Sequence, residues 1–111
     1  MKPPPEATEA LEPEWARFPR ARLEVVKGPD AGAEVVLEGE PVVVGTGPDC
    51  QLRLTDASVS RRHLELSGGP GGWRLKDLGS TNGVLLDGVQ VLEGRVLGRA
   101  RLRLGRSELR L

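Results

Sequence analysis

The feature that most constrains the fold is a period-two alternation of apolar and polar residues in short runs. Leu23-Glu24-Val25, Gln51–Leu54 and Arg101–Leu104 each place an apolar residue at every second position. This alternation is typical of a β-strand with one buried and one solvated face. The runs are separated by turn residues, with 15 Gly and 9 Pro among the 111 residues. The sequence therefore predicts an all-β fold, an antiparallel β-sandwich of about ten or eleven short strands.

Individual runs carry more specific expectations. Val42–Val44 is apolar on both faces and predicts a central strand. Asp87-Gly88 between apolar runs predicts a two-residue hairpin turn with positive φ. Residues 101–104 and 108–111 are expected to form a closing hairpin around Gly105. The glycine-rich stretch at residues 68–72 is expected to be only a flexible connection.

Composition excludes several classes of protein. The chain has 16 basic and 16 acidic residues, so no global field attracts nucleic acid or an acidic membrane. Its single cysteine, Cys50, cannot form an internal disulfide. No apolar run approaches the ~20 residues that cross a bilayer. These observations favour a cytoplasmic module without a membrane partner.

The first twenty residues differ from the rest. Pro3-Pro4-Pro5 and a series of glutamates indicate a flexible leader or linker over residues 1–20, with the folded domain at residues 21–111. The alternative is that Trp15 and Phe18 anchor this leader on the domain.

Two predicted loops concentrate hydrogen-bond donors. The first loop, residues 56–63, reads D-A-S-V-S-R-R-H, and the second loop, residues 77–83, reads D-L-G-S-T-N-G. Short hydroxyl and amide side chains, free backbone N–H groups and two arginines are suited to holding an anion. We expect the two loops to lie side by side at one rim of the sandwich.

Other chemistry is weakly supported. Gly45-Thr46-Gly47 begins like a dinucleotide loop, but the third glycine and the following helix are missing. Ser60, His63 and Asp77 could be imagined as a hydrolytic triad, but no nucleophile elbow is present. One His and one Cys make a zinc site improbable. The arginine-rich end, residues 95–111, is best interpreted as the solvated face of an edge hairpin, with nucleic-acid binding as the alternative.

The two loops together carry a family resemblance. The combination of Ser60-x-x-His63, then Asp77, then S-T-N-G-V at residues 80–84 and a D-G hairpin resembles the forkhead-associated (FHA) domain. The resemblance covers about residues 21–111 and includes Val44-Gly45, the segment P-D-C-Q-L-R-L and the final G-R-S-E-L-R-L. The N-terminal FHA domains of bacterial enhancer-binding transcription activators look especially similar.

The resemblance implies a non-enzymatic sandwich that binds phosphothreonine peptides without a cofactor. By motif position, Ser60 would donate to phosphate, Arg61 would add charge, Thr81 would contact phosphate or backbone, and Asn82 would hold the peptide main chain. Supporting roles fall to Gly45, His63, Asp77 and Gly83. The implied partner is a threonine-phosphorylated protein or peptide in signalling or transcription regulation, with the protein's own downstream domains as a further candidate.

One position departs from the family pattern. The family has an arginine that contacts phosphate directly after the glycine matching Gly45, and this sequence has Thr46. A hydroxyl lacks the charge and the fork of donors of a guanidinium. Arg61 or Arg62 could compensate; otherwise the chain is a degenerate FHA module that docks a partner without phosphate. Ser58, at the position where the family often selects the third residue after phosphothreonine, offers no charge for an acidic side chain.

Overall fold

The computed structural model describes Thr8 and residues 20–69 and 72–111. The leader prediction, including docking by Trp15 and Phe18, lies outside these residues. The described residues form eleven strands and no helix, so this part of the chain contains no apolar helix of membrane-spanning length. The strands are β1 Ala21–Lys27, β2 Glu34–Leu37, β3 Val42–Gly45, β4 Leu52–Arg53, β5 Leu64–Gly69, β6 Gly72–Asp77, β7 Val84–Leu86, β8 Val89–Val91, β9 Glu93–Val96, β10 Arg101–Leu104 and β11 Ser107–Arg110.

Two sheets pack face to face and confirm the predicted sandwich. One sheet has six strands in the order β2-β1-β11-β10-β7-β8, and the other has five in the order β4-β3-β5-β6-β9. Neighbouring strands pair antiparallel except β3 and β4, which run parallel. This exception arises because the chain loops back after Gly45 before it enters the short strand β4, which pairs only Leu52 and Arg53 with β3.

The core lies between the sheets and follows the alternation in the sequence. Leu23 and Val25 of β1 are fully buried, as are Leu102 and Leu104 of β10, while their charged neighbours face solvent. Each fully buried leucine contributes about 1.5–3 kcal/mol from the hydrophobic effect. Val42, Val43 and Val44 are all buried, as the apolar run predicts. The alternation of apolar and polar residues thus predicts correctly which side chains of these strands lie in the core.

The predicted D-G hairpin is confirmed in its backbone. Asp87 has φ 48° and Gly88 has φ 85°, the two left-handed residues that a two-residue hairpin turn needs. The turn sets the pairing of β7 with β8, in which Leu86 lies opposite Val89.

Two expectations about the chain were wrong. The closing hairpin β10–β11 lies inside its sheet, not at an edge, because β11 pairs with β1 and β10 pairs with β7, far away in sequence. Its arginines are still solvated, and Arg101 and Arg110 lie near Glu108 and Glu24. The stretch at residues 68–72 is not only a connection either, since Gly68 pairs with Trp73 and Gly69 with Gly72 in the β5–β6 ladder.

Candidate functional site

A shallow depression of about 350 Å³ opens where three connections meet at one end of the sandwich. The β3–β4 loop supplies Thr46, the first loop supplies residues 57–61, and the second loop supplies Thr81 and Asn82. The structure therefore brings together the four residues predicted to contact a phosphopeptide and the residue that replaces the family arginine: Ser60, Arg61, Thr81, Asn82 and Thr46. The described lining contains no carboxylate, so its chemistry suits an anion.

Ser60 connects the first loop to the second. Its Oγ accepts a hydrogen bond from the backbone N–H of Thr81 at 3.1 Å. A hydroxyl has one proton to donate and two lone pairs to accept with. Because the contact with Thr81 uses a lone pair, the Ser60 hydroxyl proton remains able to donate into the depression.

His63 lies beneath both loops and is fully buried. Its Nδ1 accepts from the backbone N–H of Ser60 at 3.0 Å, and its Nε2 lies 2.8 Å from the carbonyl oxygen of Gly83. The neutral ring with its proton on Nε2 satisfies both contacts at once. Since both ring nitrogens are occupied by backbone groups, neither is directed at the Ser60 hydroxyl, and the arrangement is not a hydrolytic triad.

The second loop is held by short-range hydrogen bonds. Asp77 accepts from the backbone N–H of Ser80 at 2.8 Å, and the Ser80 hydroxyl accepts from the N–H of Gly83 at 2.9 Å. Gly83 has φ +75°, a conformation that disfavours any side chain. The chain reversal that results presents Thr81 and Asn82 at the crest of the loop, where both are exposed.

Asn82 reaches across to the first loop. Its Nδ2 donates to the carbonyl oxygen of Ser58 at 2.8 Å. One amide N–H and the side-chain carbonyl oxygen of Asn82 remain for other partners. An extended peptide needs this donor and acceptor pair from a receptor that holds its main chain.

The β3–β4 loop supports the first loop from the other side. A Cβ on Gly45 would lie 2.2 Å from the carbonyl oxygen of Arg61, so only glycine allows this close approach. The N–H of Thr46 donates to the carbonyl oxygen of Ser60 at 3.1 Å. The Arg61 carbonyl oxygen also accepts from the N–H of Gly47 at 2.9 Å and from the thiol of Cys50 at 3.1 Å. Burial raises the pKa of the Cys50 thiol. The thiol therefore keeps the proton that it donates to the Arg61 carbonyl oxygen.

The two arginines of the first loop have different environments. Arg61 is exposed and lines the depression. Arg62 is also exposed, but its Nη1 lies 3.6 Å from Asp49, and it is not part of the lining. Of the two arginines that could compensate for the missing family arginine, only Arg61 lines the depression.

Sequence reasoning assigned no role to Asp56, which anchors the first loop. Asp56 is buried and accepts from the N–H of Ser58 at 2.8 Å, from the Ser58 hydroxyl at 2.6 Å and from the Ser107 hydroxyl at 2.7 Å. Burial alone would raise the pKa of Asp56, but these hydrogen bonds and the charge of Arg106 outweigh it and lower the pKa to about 2. The D-x-S spacing is a local signal for the bonds to Ser58, whereas nothing local indicates Ser107.

No group of three or more metal-ligating side chains lies together within residues 20–69 and 72–111. The depression is lined by residues that carry hydroxyl, amide, backbone and guanidinium donors. Such a donor set is suited to binding an anion through oriented hydrogen bonds.

Comparison with known proteins supports the same interpretation. Residues 24–111 match the Yop-YscD family, described as the inner membrane component of T3SS, cytoplasmic domain. The chain is 38% identical over 91 residues to the FHA domain-containing protein FhaB of Mycolicibacterium smegmatis, covering 81% of this chain and 59% of FhaB.

Two solved structures have the same architecture. One comes from a structural and functional analysis of phosphothreonine-dependent FHA domain interactions, with 36% identity, a TM-score of 0.72, and coverage of 79% of this chain and 90% of that one. The other is the FhaA FHA domain in complex with the intracellular domain of Rv3910, with 36% identity, a TM-score of 0.71, and coverage of 79% and 94%.

This chain belongs to the FHA domain family, and the Yop-YscD match describes an FHA-like domain over the same residues. The similarity to enhancer-binding activators stays a prediction.

Proposed function

We propose that this protein is a non-enzymatic module that recognises a phosphothreonine in a partner protein and thereby mediates a protein–protein interaction in cytoplasmic signalling. The observation that carries the proposal is the hydrogen bond between Ser60 Oγ and the Thr81 N–H. It joins the two loops so that their remaining donors face one depression. One of the similar solved structures comes from an analysis of phosphothreonine-dependent FHA domain interactions, which supports the proposal.

Phosphate binding rests on three side chains. The Ser60 hydroxyl retains its proton, Thr81 adds a second hydroxyl, and Arg61 adds a guanidinium at the lining. A phosphothreonine carries about −1.5 to −2 charges and three strong acceptor oxygens. Arg61 takes the part of the arginine that this chain replaces by Thr46, because its charge reaches the depression from the adjacent loop.

Peptide binding rests on Asn82. Its free amide N–H and carbonyl oxygen lie beside the phosphate donors, on the side of Ser58. A main-chain contact holds the peptide whatever its side chains, so Asn82 adds affinity while the phosphate adds specificity. The partner could be a separate protein or a downstream domain of the same polypeptide.

The test is a calorimetric titration with one threonine peptide library in phosphorylated and unphosphorylated forms. Wild type is expected to bind only the phosphorylated library. Arg61→Ala should weaken that binding by about 1.5–3 kcal/mol, roughly ten- to a hundredfold, because it removes a charge-assisted contact.

Arg62→Ala is the matched control. It removes the same charge one residue away, from a side chain that pairs with Asp49 instead of lining the depression. Its affinity should stay within about threefold of wild type. Equal binding of both libraries by wild type would replace this proposal with a phosphate-independent docking module. Equal losses in the two variants would remove the special role of Arg61.

A further inference from the structure

Strand β9 is an edge of the five-stranded sheet, and among the described residues it pairs only with β6. The β6–β9 register continues at Leu92, whose carbonyl oxygen accepts from the N–H of Asp77 at 2.8 Å. Because antiparallel hydrogen bonds involve every second residue, the backbone groups of Leu92 and Gly94 face β6. The N–H and C=O groups of Glu93 and Arg95 therefore point away from β6, toward the open side of the sheet.

The side chains of Glu93 and Arg95 carry opposite charges, but only the carboxylate has a partner. Glu93 pairs with Arg74 of β6. Arg95 lies directly opposite Arg74 in the ladder and takes part in no ion pair within residues 20–69 and 72–111. Like charges directly opposite one another on a sheet are destabilising. The exposed Arg95 thus lacks a carboxylate that would offset this repulsion.

Apolar surface and open space accompany these charges. Leu92 and Leu97 flank β9 on its two sides and are 74% and 62% exposed. Between them, a Cβ on Gly94 would meet no other described atom within 4 Å. The φ of Gly94 is not positive either, so neither packing nor backbone conformation in this part of the chain requires a glycine there. A glycine inside a strand is typical of a place where a second backbone approaches closely.

We infer that the open edge of β9 pairs antiparallel with β9 of a second copy of this chain, about a two-fold axis at Gly94. With the axis there, Glu93 of each copy lies opposite Arg95 of the other, and Leu92 lies opposite Val96. The occupant is a second copy because the charges of β9 are complementary to those of β9 itself. The inference goes beyond phosphothreonine binding and does not depend on it.

The backbone geometry fits this register. Glu93 and Arg95 have the outward N–H and C=O groups, so the two Glu93–Arg95 pairs become the hydrogen-bonded pairs of the new ladder. Gly94 and its copy form the non-hydrogen-bonded pair between them, in which the Cα atoms approach to about 4.5 Å. A shift of one residue would set the outward groups of Glu93 against the inward groups of Gly94, and these bonds would be lost.

The other edge strands lack this complementarity. Strand β2 carries acidic charge alone, β8 carries no charge, and β4 has only two residues. None of them can form two pairs of opposite charge across a two-fold axis. The self-association is therefore specific to β9.

The size of the contact sets its strength. Four residues of each copy bury less than the roughly 1,200–2,000 Å² of a stable interface, so the dimer forms at high concentration or between tethered copies. The binding depression lies beyond the start of β9, because Glu93 pairs with Lys76 just before the second loop. Antiparallel pairing then places the two depressions at opposite ends of the dimer, an arrangement suited to linking two partners.

The test is sedimentation velocity on the full chain from about 10 μM to about 1 mM, without peptide. The mean mass of wild type should rise from one chain, 11.9 kDa, toward two. Arg95→Glu and Glu93→Arg each set like charges opposite one another twice in the dimer. Each should weaken self-association by at least about tenfold.

Mixing the two variants provides the decisive readout. In the mixed dimer every introduced charge lies opposite a charge of the other sign, so the mixture should associate more strongly than either variant alone. Urea unfolding curves verify that both variants fold. Arg103→Glu is the matched control, because it reverses the charge of an exposed residue on β10, inside the other sheet, and it should dimerise like wild type.

Three results would overturn the inference. A wild type that stays monomeric at about 1 mM would leave the strand of a different protein as the occupant of this edge. Self-association that Arg95→Glu leaves unchanged would place the contact elsewhere on the molecule. A mixture no more associated than its separate components would show that Glu93 and Arg95 do not face each other between copies.

Discussion

Replacing His63 by alanine tests whether one buried ring holds the two binding loops together. The ring accepts from the N–H of Ser60 and contacts the carbonyl oxygen of Gly83. Alanine removes both partners and leaves two polar backbone groups at a site where the native side chain is fully buried. Each unsatisfied group costs about 1–3 kcal/mol, so the variant should lose about 2–6 kcal/mol of its free energy of unfolding.

The loss is large for a domain of this size. A small domain has a total stability of about 5–15 kcal/mol, and each kcal/mol corresponds to about 4–8 °C in Tm. The Tm of His63→Ala should therefore fall by at least about 8 °C. Urea unfolding followed by circular dichroism measures the free energy, and an unchanged m-value shows that the unfolded states are comparable.

His63→Gln is the matched variant. A glutamine amide nitrogen can approach the position of Nε2 and keep the contact with Gly83 while the contact with Ser60 is lost. It should therefore lie between wild type and His63→Ala in stability. A loss below about 0.5 kcal/mol for His63→Ala, the range of ordinary surface changes, would refute the bridging role.

Three further predictions concern other parts of the molecule. Thr46→Arg restores the missing guanidinium at the rim of the depression and should tighten binding of phosphorylated peptide by about 1–3 kcal/mol in calorimetry. Binding of the unphosphorylated peptide should not change. If wild type already binds the phosphorylated peptide tightly and the variant binds it no better, Arg61 already occupies that space. Asp56 has a pKa of about 2 in the folded protein against about 4 when unfolded, so the unfolded state takes up the proton first as the pH falls. The ionised carboxylate therefore stabilises the folded protein by about 2 kcal/mol above about pH 4, and this contribution is lost toward pH 2. As the pH is lowered from 4 to 2, the free energy of unfolding should decrease more steeply for wild type than for Asp56→Asn. Equal pH dependence of the two proteins would contradict the buried hydrogen bonds. Deleting residues 1–19 should leave the Tm nearly unchanged, and a fall of many degrees would show that Trp15 or Phe18 packs on the domain.

Much of the fold follows from local patterns in the sequence. Alternation in β1 and β10 determines which side chains enter the core, because successive residues of a strand point to opposite faces. Asp87-Gly88 determines a hairpin, because both residues tolerate positive φ. The chemistry of the two loops is likewise local, since hydroxyl and amide side chains lie next to each other in the chain.

Tertiary structure alone decided which strands are neighbours. Backbone hydrogen bonds are nearly the same for every residue type, so the alternation of β11 does not reveal that β1 is its partner. For this reason the β10–β11 hairpin was wrongly expected at an edge, and the parallel pairing of β3 with β4 was not predicted.

The same limit applies to the site. Ser60 and His63 could be chosen from their spacing, but the contact of His63 with Gly83 crosses 20 residues, that of Ser107 with Asp56 crosses 51, and that of Arg106 with Ser58 crosses 48. These contacts depend on how loops at one end of the sandwich converge once the sheets have packed. The sequence by itself determined the donors, and the packing of the two sheets decided which of them face the same depression, because hydrogen bonds act only over a few ångströms while the residues that make them are far apart along the chain.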